Sequence, residues 1–161
     1  MEIIQPQPSD LIEIVYLQRV CFSAMKSKGW LSCDLYREIN TEELSNIFIL
    51  KQDSLTLGMM KIHKSGLELN GKVEWNSSSA NPLSIDSLII HPNWWDKKIG
   101  DNLLKFAEDY AKKYKFTSIR LNTFAENLDA ISLFKQLSFE QTGEFHSRFQ
   151  KIPFYCYEKI L

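Results

Sequence analysis

The most constraining feature of this sequence is an apolar segment that leads into a long amphipathic helix and then into a second apolar segment. Residues 85–90 have the composition of a buried strand, and the apolar positions from Ile99 to Tyr114 recur at helical spacing. Residues 117–124 return to a strand pattern. A strand, a helix and a strand of these lengths predict a right-handed crossover between two parallel strands.

Two helices are predicted near the N-terminus. Ser9 or Asp10 can cap the first, and Asp10 with Glu13 three residues later has the pattern of a capping box. Apolar residues then recur at helical spacing to about Lys26. A shorter helix is predicted over 34–44, with the alternative that Asn40 begins a new turn within it. Both helices precede the strands that they would cover.

The middle of the chain has an antiparallel character. Residues 47–52 and 55–62 are strand-like and are separated by Asp53 and Ser54, which predicts a hairpin. Residues 67–75 form a further strand or, because they contain Asn-Gly, two short strands. The remaining predicted elements are a strand over 1–5, a helix over 128–137, and strands over 139–149 and 153–160. The predicted fold class is therefore α/β (α+β), a mixed sheet with helices on both faces.

Length and composition limit the classes of protein that fit. The 161 residues, of which 44% are hydrophobic and 24% charged, predict one soluble domain over 1–161. No apolar run approaches the roughly 20 residues that cross a bilayer, so no membrane partner is predicted. A net charge of −1 does not give the excess of positive charge that is typical of proteins that bind nucleic acid, so no such partner is predicted. Three cysteines without metal-ligand spacing predict free thiols, no metal and a cytoplasmic location.

Positive charge is concentrated in one part of the chain. Between Lys97 and Arg120 there are seven basic residues and three acids, a local balance of +4. Such a cluster is either a solvated helix face or a site for a polyanionic ligand. The residues around the start of the helix must decide between these two interpretations.

Residues 88–104 read Leu-Ile-Ile-His-Pro-Asn-Trp-Trp-Asp-Lys-Lys-Ile-Gly-Asp-Asn-Leu-Leu. This segment resembles the main motif of the GNAT family of N-acetyltransferases, in which a hydrophobic strand, a turn opened by Pro, and Arg/Gln-x-x-Gly-x-Gly/Ala lead into a long helix. Pro92 and Gly100 match, whereas Trp95 stands at the Arg or Gln position and Lys98 at the first Gly. The resemblance implies a GNAT-like, mostly antiparallel sheet with one parallel, splayed strand pair, and acetyl-CoA as co-substrate.

The resemblance also implies where acetyl-CoA is held. The N–H groups without partners at a helix N-terminus, together with the helix dipole, suit a pyrophosphate. Lys97 and Lys98 would add positive charge, provided that the Lys98 side chain points outward. The implied cofactor-binding residues are Leu88, Ile89, Ile90, Trp95, Asp96, Lys97, Lys98, Ile99, Gly100, Asp101, Asn127 and Phe134.

A second part of the resemblance lies in residues 127–139, which are similar to the family's Asn-x-x-Ala-x-x-Leu-Tyr-x-x-x-Gly-Phe. In the family the asparagine commonly bonds the pantetheine arm, so Asn127 is a pantetheine ligand, a helix cap, or both. The family's tyrosine, which often protonates the departing thiolate, is replaced by Phe134. The acid would then be Ser132, a tyrosine of the last strands, or water.

The general base that the resemblance implies is a carboxylate in the central strands. Asp86 interrupts an apolar strand and is the first catalytic candidate, and Glu74, on the preceding predicted strand, is the second. If Asp86 is buried, it is a suitable base near neutral pH; the alternative is an exposed residue at a strand end. The chain also has three histidines, each predicted to be structural: His63, His91 and His146.

The leading prediction is an acetyl-CoA-dependent N-acetyltransferase that transfers the acetyl group directly, in a ternary complex, to a primary amine of a small molecule or peptide. The first alternative is a catalytically weak or inactive GNAT-fold protein that binds CoA as a regulatory or interaction module. The second is a doubly wound nucleotide-binding protein, which also places phosphate at a helix start. The aromatic-rich last strand would favour a homodimer if it lay at a sheet edge.

Overall fold

The computed structural model describes residues 1–29, 38–65, 73–76, 81–95, 98–147 and 151–161. The strands in these ranges are β1 (Glu2–Ile4), β2 (Ile47–Gln52), β3 (Leu55–His63), β4 (Pro82–Ile90), β5 (Ser118–Phe124), β6 (Glu140–Phe145) and β7 (Phe154–Ile160). The α-helices are α1 (Leu11–Ser27), α2 (Ile99–Lys113) and α3 (Leu128–Gln136). Short 3-10 helices occupy Pro8–Asp10, Thr41–Asn46 and Pro92–Trp94.

The described strands form one sheet in the order β1-β2-β3-β4-β5-β7-β6. The β4–β5 pair is parallel, and the sheet is otherwise mostly antiparallel. The parallel ladder joins Pro82–Ser84 to Ser118–Arg120 and stops there, although β4 continues to Ile90 and β5 to Phe124. The predicted mixed sheet with one parallel pair is confirmed. The doubly wound alternative is wrong, because that fold needs a mostly parallel sheet.

The aromatic last strand is not at an edge of the sheet. β7 lies between β5 and β6, and it pairs with both in antiparallel fashion. Its backbone groups are therefore engaged on both sides. The last strand is therefore not available to pair with a second copy, as it would be if it lay at an edge.

The chain forms two compact units. Unit 1 comprises Met1–Ile62 and Ser87–Phe106, and unit 2 comprises His63–Asp86 and Ala107–Leu161. Each unit has its own packed side chains, and β4 and α2 each contribute residues to both.

In unit 1, helices cover both faces of the strands. Ile14 and Leu17 of α1 pack with Met59 of β3 in one apolar cluster. A Cβ atom built on the neighbouring Gly58 would lie 2.8 Å from Cγ2 of Ile99, so the other face of β3 approaches α2 closely. Because successive residues of a strand point to opposite faces, the predicted covering by helices on both faces is confirmed for this unit.

In unit 2, the two faces of β7 differ in character. Tyr157 packs edge-on against Phe134 of α3, with ring centroids 5.3 Å apart. Nζ of Lys159 lies 2.7 Å from Oε2 of Glu108 in α2. Glu158, on the opposite face, has Oε1 2.9 Å from Nε of Arg120, and both side chains are buried. The helices thus cover one face of β7, and a buried ion pair occupies the other.

The positive cluster predicted over 97–120 is not one surface patch. Arg120 is buried, and its Cζ lies 4.5 Å from the ring centroid of Trp75. Nζ of Lys112 lies 2.8 Å from Oε1 of Glu108. The hydrogen bonds from Lys112 and then from Lys159 lower the pKa of Glu108. Of the described basic residues in this segment, Arg120 is therefore inside the fold, whereas the lysines are exposed.

The capping box predicted at the start of α1 is wrong. Oδ2 of Asp10 accepts the N–H of Gln7 at 2.8 Å, and Oδ1 accepts from Nζ of Lys51 at 2.8 Å. Glu13 instead accepts from Oγ1 of Thr56 at 2.6 Å. The carboxylate of Asp10 is thus taken by the 3-10 turn before the helix and by β2, because these partners approach it more closely than the first helical turn does.

The second predicted helix is also different. Within the described residues, the segment 34–44 contributes the beginning of the 3-10 helix Thr41–Asn46 and no α-helix. The side chain of Asn40 accepts the N–H of Glu42 at 3.0 Å, which confirms the alternative that a new turn begins there. Residues 34–37 lie outside the described residues.

The strand predicted over 67–75 is not found in the part described. Residues 73–75 belong to no strand, and residues 67–72 lie outside the described residues. The other elements agree with prediction to within a few residues, including the hairpin turn at Asp53, whose φ is 57°. None of the described helices combines the length and the apolar character that crossing a bilayer demands.

Candidate active site

The end of β4 fixes the direction of its backbone groups. The N–H of His91 donates to the carbonyl of Leu57 at 2.9 Å. Because alternate N–H groups of a strand point to opposite edges, Ile90 directs its N–H away from β3. This is the edge along which the β5 ladder has already stopped at Ser84. The strand therefore offers a backbone donor at the residue just before the turn.

Trp95 stabilises the turn between β4 and α2 through its side chain. Its indole Nε1–H donates to the carbonyl of Ile90 at 2.8 Å, and the thiol of Cys21 reaches the same oxygen at 3.5 Å. Nζ of Lys28, at the end of α1, lies 4.5 Å from the centroid of the Trp95 ring. Trp95, at the family's Arg or Gln position, therefore stabilises the turn. Its contact with the cofactor stays a prediction.

Lys98 has a left-handed backbone conformation, which glycine adopts more readily than any other residue. Its φ is 57°, in the left-handed region that favours glycine, and its side chain is exposed. Its carbonyl accepts the N–H of Asn102 at 3.1 Å, so α2 begins directly after it. The outward side chain that the sequence required of Lys98 is therefore present. Asp96 and Lys97 lie outside the described residues.

The first turn of α2 is held in place by a glycine that the sequence reasoning did not single out. A Cβ at Gly58 would lie 2.8 Å from Ile99 and 3.1 Å from Leu103. Ile99 and Gly100 are buried, and Asp101 is half-buried. A glycine in the middle of a strand pattern often marks such a close approach, and that was the available signal.

The two predicted catalytic carboxylates have different surroundings. Asp86 is on β4, two residues before Leu88, but its side chain is 38% exposed, so the burial on which the predicted base role depended is missing. Its Oδ2 lies 3.4 Å from Nε2 of His63. Glu74 is exposed on the segment 73–76 and is not on a strand. The structure thus joins Asp86 to a histidine that the sequence treated as isolated.

Asn127 caps α3. Its Oδ1 accepts the N–H of Ala130 at 3.3 Å, and its Nδ2 donates to Oγ1 of Thr123 at 3.1 Å. The cap predicted from the sequence is confirmed. The pantetheine contact of the family stays a prediction.

Phe134, at the position of the family's tyrosine, is buried among aromatic rings. It packs against Phe139 and Tyr157, with centroid distances of 6.0 and 5.3 Å. Among the acids considered from the sequence, Ser132 is exposed, whereas the hydroxyl of Tyr157 is buried and has no hydrogen-bond partner among the described residues. Burial raises the pKa of Tyr157, which keeps the hydroxyl protonated. Burial likewise raises the pKa of the Cys156 thiol to about 11, which makes it a poor nucleophile.

A mostly antiparallel sheet with one parallel strand pair and covering helices matches the fold of the GNAT acetyltransferases. The model of the acetyltransferase (GNAT) family matches residues 11–139, and the chain belongs to this family. Acetyl-CoA is the acetyl donor that the family uses. The predictions of family, fold and acyltransferase class are confirmed.

Individual relatives are more distant. The streptothricin acetyltransferase of Escherichia coli is 30% identical over 76 residues, which are 47% of this chain and 44% of that protein. The match therefore spans less than half the length of this relative. A GNAT-family acetyltransferase from Listeria monocytogenes has a TM-score of 0.74 and 15% identity, with 99% of this chain and 94% of that chain covered. The PaiA N-acetyltransferase of Thermoplasma acidophilum, in complex with coenzyme A, has a TM-score of 0.68 and 19% identity, with 99% and 98% covered.

Proposed function

We propose that this chain is an acetyl-CoA-dependent N-acetyltransferase that acts on a primary amine of a small molecule or a peptide. The observation that carries the proposal is the backbone at Lys98. A φ of 57° costs a residue with a side chain roughly 1 kcal/mol more than glycine, and it places an exposed lysine directly before the first turn of α2. The N–H groups of a helix start and a nearby cation together suit a pyrophosphate.

The proposed cofactor site follows from this turn. The N–H groups at the start of α2 would bind the pyrophosphate, as helix N-termini commonly do, with Lys98 nearby as an exposed cation. Leu88, Ile89 and Ile90 would line the thioester, and the N–H of Ile90 would polarise its carbonyl. The further proposed contacts are Trp95, Asp96, Lys97, Ile99, Gly100, Asp101, Asn127 and Phe134.

The proposed reaction is direct attack in a ternary complex. The ammonium loses its proton through the pair that Asp86 forms with His63, and the amine nitrogen attacks the thioester carbon. We assign protonation of the thiolate to Tyr157, because its ring packs edge-on against the residue that replaces the family's tyrosine and its hydroxyl is buried beside it in the core. Tyr157→Phe is then expected to lower kcat without lowering the free energy of unfolding, because the hydroxyl that it removes has no hydrogen-bond partner among the described residues.

The whole chain would work as one catalytic domain in the cytoplasm, and as a homodimer, for which sedimentation equilibrium would give about twice the 18.8 kDa chain mass. The name of the Escherichia coli relative supports a small-molecule acceptor. A panel should therefore include small amines and peptides with a free N-terminus, with N-acetylated peptides as blanks.

The decisive experiment is calorimetric titration with acetyl-CoA, with NAD as the control ligand. Lys98→Glu is expected to weaken acetyl-CoA binding about tenfold. Lys115→Glu is the matched control, because Lys115 is also exposed and left-handed, with a φ of 61°, but follows the opposite end of α2. Saturable binding of acetyl-CoA, followed by thiol release with an amine from the panel, supports the proposal. No heat at millimolar acetyl-CoA overturns it.

A second function is favoured by one observation. Phe134 is 3% exposed and has no hydroxyl to protonate a leaving thiolate. Binding of acetyl-CoA without acetyl transfer to any amine of the panel would assign the chain to the alternative, a GNAT-fold protein that binds CoA as a regulatory or interaction module.

A further inference from the structure

His63 and Asp86 form a side-chain pair where β3 ends beside β4. Nε2 of His63 lies 3.4 Å from Oδ2 of Asp86, and each side chain is 38% exposed. Both residues belong to unit 2. Asp86 precedes Leu88 by two residues on β4, and residues two apart in a strand share a face and are about 6.7 Å apart. The pair is therefore partly exposed, and Asp86 belongs to the same strand as the residues proposed to line the thioester.

We propose that His63 is the general base that deprotonates the acceptor ammonium, and that Asp86 is a positioning residue that acts through His63. This inference rests on the proposed acetyl transfer and refines its base. A carboxylate against Nε2 holds the imidazole proton on that nitrogen and leaves the lone pair on Nδ1. Nδ1 of His63 is then the atom that accepts the proton.

The division of roles follows from the chemistry of the two groups. An ordinary imidazole has a pKa of about 6.5 and an ordinary aspartate about 3.9, so at neutral pH the imidazole is the stronger base. A carboxylate becomes a comparable base chiefly when it is desolvated. Asp86, with 38% of its side chain exposed, lacks that burial.

The other histidines of the chain are placed less well for this role. Nδ1 of His91 accepts the N–H of Asn93 at 3.3 Å, so that lone pair already has a partner. Nε2 of His146 is 3.9 Å from Oε1 of Glu144, and these side chains are 66% and 55% exposed. Compared with the pair of His146 and Glu144, the pair of His63 and Asp86 has the shorter N–O distance and the less exposed side chains.

Protons and electron pairs are conserved in the proposed acetyl transfer. The ammonium transfers one proton to Nδ1 of His63, and the amine electron pair forms a C–N bond to the thioester carbon. The C–S bond then breaks, with its electron pair going to sulfur. The attacking nitrogen gives up its second proton and the thiolate takes one up. The products are the amide, CoA with a protonated thiol, and one proton that His63 releases to water.

The test compares matched variants with the acceptor that the amine panel identifies. His63→Gln is expected to lower kcat by roughly 10²-fold or more. Asp86→Asn is expected to lower it about tenfold, because the imidazole loses the carboxylate that fixes its tautomer. Glu144→Gln removes the carboxylate of the other histidine pair and is expected to leave kcat unchanged. None of the three should change the affinity for acetyl-CoA, which calorimetry measures.

Two further measurements separate a base from a structural residue. Free imidazole should restore part of the kcat of His63→Ala, which it would not do for a residue needed for packing alone. Long-range proton–nitrogen NMR should show His63 with its proton on Nε2 in the wild-type protein and on either nitrogen in Asp86→Asn.

The outcomes distinguish this inference from the proposed function. If the wild-type protein binds no acetyl-CoA or acetylates no amine, both are overturned. If it acetylates an amine and His63→Gln keeps its kcat, the inference is overturned and the proposed function stands. An Asp86→Asn variant that loses far more activity than His63→Gln would make Asp86 itself the base, and would also overturn the inference.

Discussion

The helices α2 and α3 both begin after a strand and a turn, but their first turns are built differently. At α3, the Asn127 side chain bonds the N–H of Ala130 and the hydroxyl of Thr123, so the helix start is stabilised by its own chain. At α2, an exposed lysine takes a left-handed backbone and points away from the turn. The start of α3 is thus closed by its own side-chain cap, whereas the proposed pyrophosphate site requires the N–H groups at the start of α2 to stay open to a ligand.

The largest expected effect tests what holds the start of α2 in place. Gly58→Ala would put a Cβ 2.8 Å from Ile99 and 3.3 Å from the carbonyl oxygen of Ile89, so we expect a loss of about 1–3 kcal/mol in the free energy of unfolding. Affinity for acetyl-CoA should fall as α2 moves. Urea denaturation and calorimetry measure the two effects.

Gly143→Ala is the matched control for this strand glycine. Its Cβ would meet Val73 at 3.5 Å, an ordinary contact, so stability should change little. Equal losses in both variants would mean that the close approach to α2 is not what constrains Gly58.

The next effect tests the start of α3. Asn127→Ala removes the cap and should cost about 1 kcal/mol, while Asn127→Asp keeps the accepting oxygen and should cost less. If Asn127 only caps, acetyl-CoA should bind both folded variants equally. A large loss of affinity in Asn127→Asp at nearly unchanged stability would show that the amide contacts the cofactor, and would remove the contrast between the helix starts.

A substitution at Lys98 is expected to change the free energy of unfolding by a smaller amount and in the opposite direction. Lys98→Gly should raise the free energy of unfolding by roughly 1 kcal/mol, because glycine adopts a φ of 57° without a steric cost. Lys115→Gly, at a φ of 61°, should give a similar gain. Acetyl-CoA affinity should fall in the first variant alone, which calorimetry would detect. A change in affinity of the same size in both would contradict a ligand role for the start of α2.

The smallest expected effect is on the stability of the first turn of α1. This is the third helix start that can be compared with those of α2 and α3. The hydrogen bond from Lys51, and then that from Gln7, lower the pKa of Asp10. A lowered pKa in the folded state means that Asp10 contributes stability above its unfolded pKa and loses it as the pH falls through the folded one. Urea midpoints from pH 6 to pH 2 should show this acid loss, roughly 0.5 kcal/mol, in the wild type.

Asp10→Asn should remove this loss, while Asp53→Asn in the exposed hairpin turn should not. An unchanged acid dependence in Asp10→Asn would mean that this ion pair does not contribute to the stability of the α1 start.

The prediction from sequence succeeded where the signal was local. The apolar periodicity of α2, the asparagine before α3 and the turn at Asp53 all act within a few residues, and the structure has each of them. It failed at Asp10, whose carboxylate has a partner on β2 at Lys51 rather than in its own helix. A capping pattern cannot reveal a competing partner that the fold brings from another element.

For the candidate site, too, the sequence indicated the local features and missed those that depend on the fold. The sequence indicated the strand, the turn and the helix that would hold the cofactor, because these residues are contiguous. It did not indicate that Trp95 bonds the carbonyl of Ile90, since the direction of an indole depends on its surroundings. It left open whether Asp86 is buried or exposed, because the exposure of a strand residue depends on what covers that point of the sheet, and the structure shows the side chain 38% exposed.

The sequence by itself indicated the family and most of the order of the elements, including the helix at which we propose that the cofactor binds. The tertiary structure decided that His63 stands beside Asp86, that Gly58 lets α2 approach β3, and that Arg120 is buried with Glu158. The physical reason is the range of the interactions. Propensity, periodicity and capping act over a few neighbouring residues, whereas an ion pair or a close approach depends on strand register, which brings together residues that are far apart in the chain.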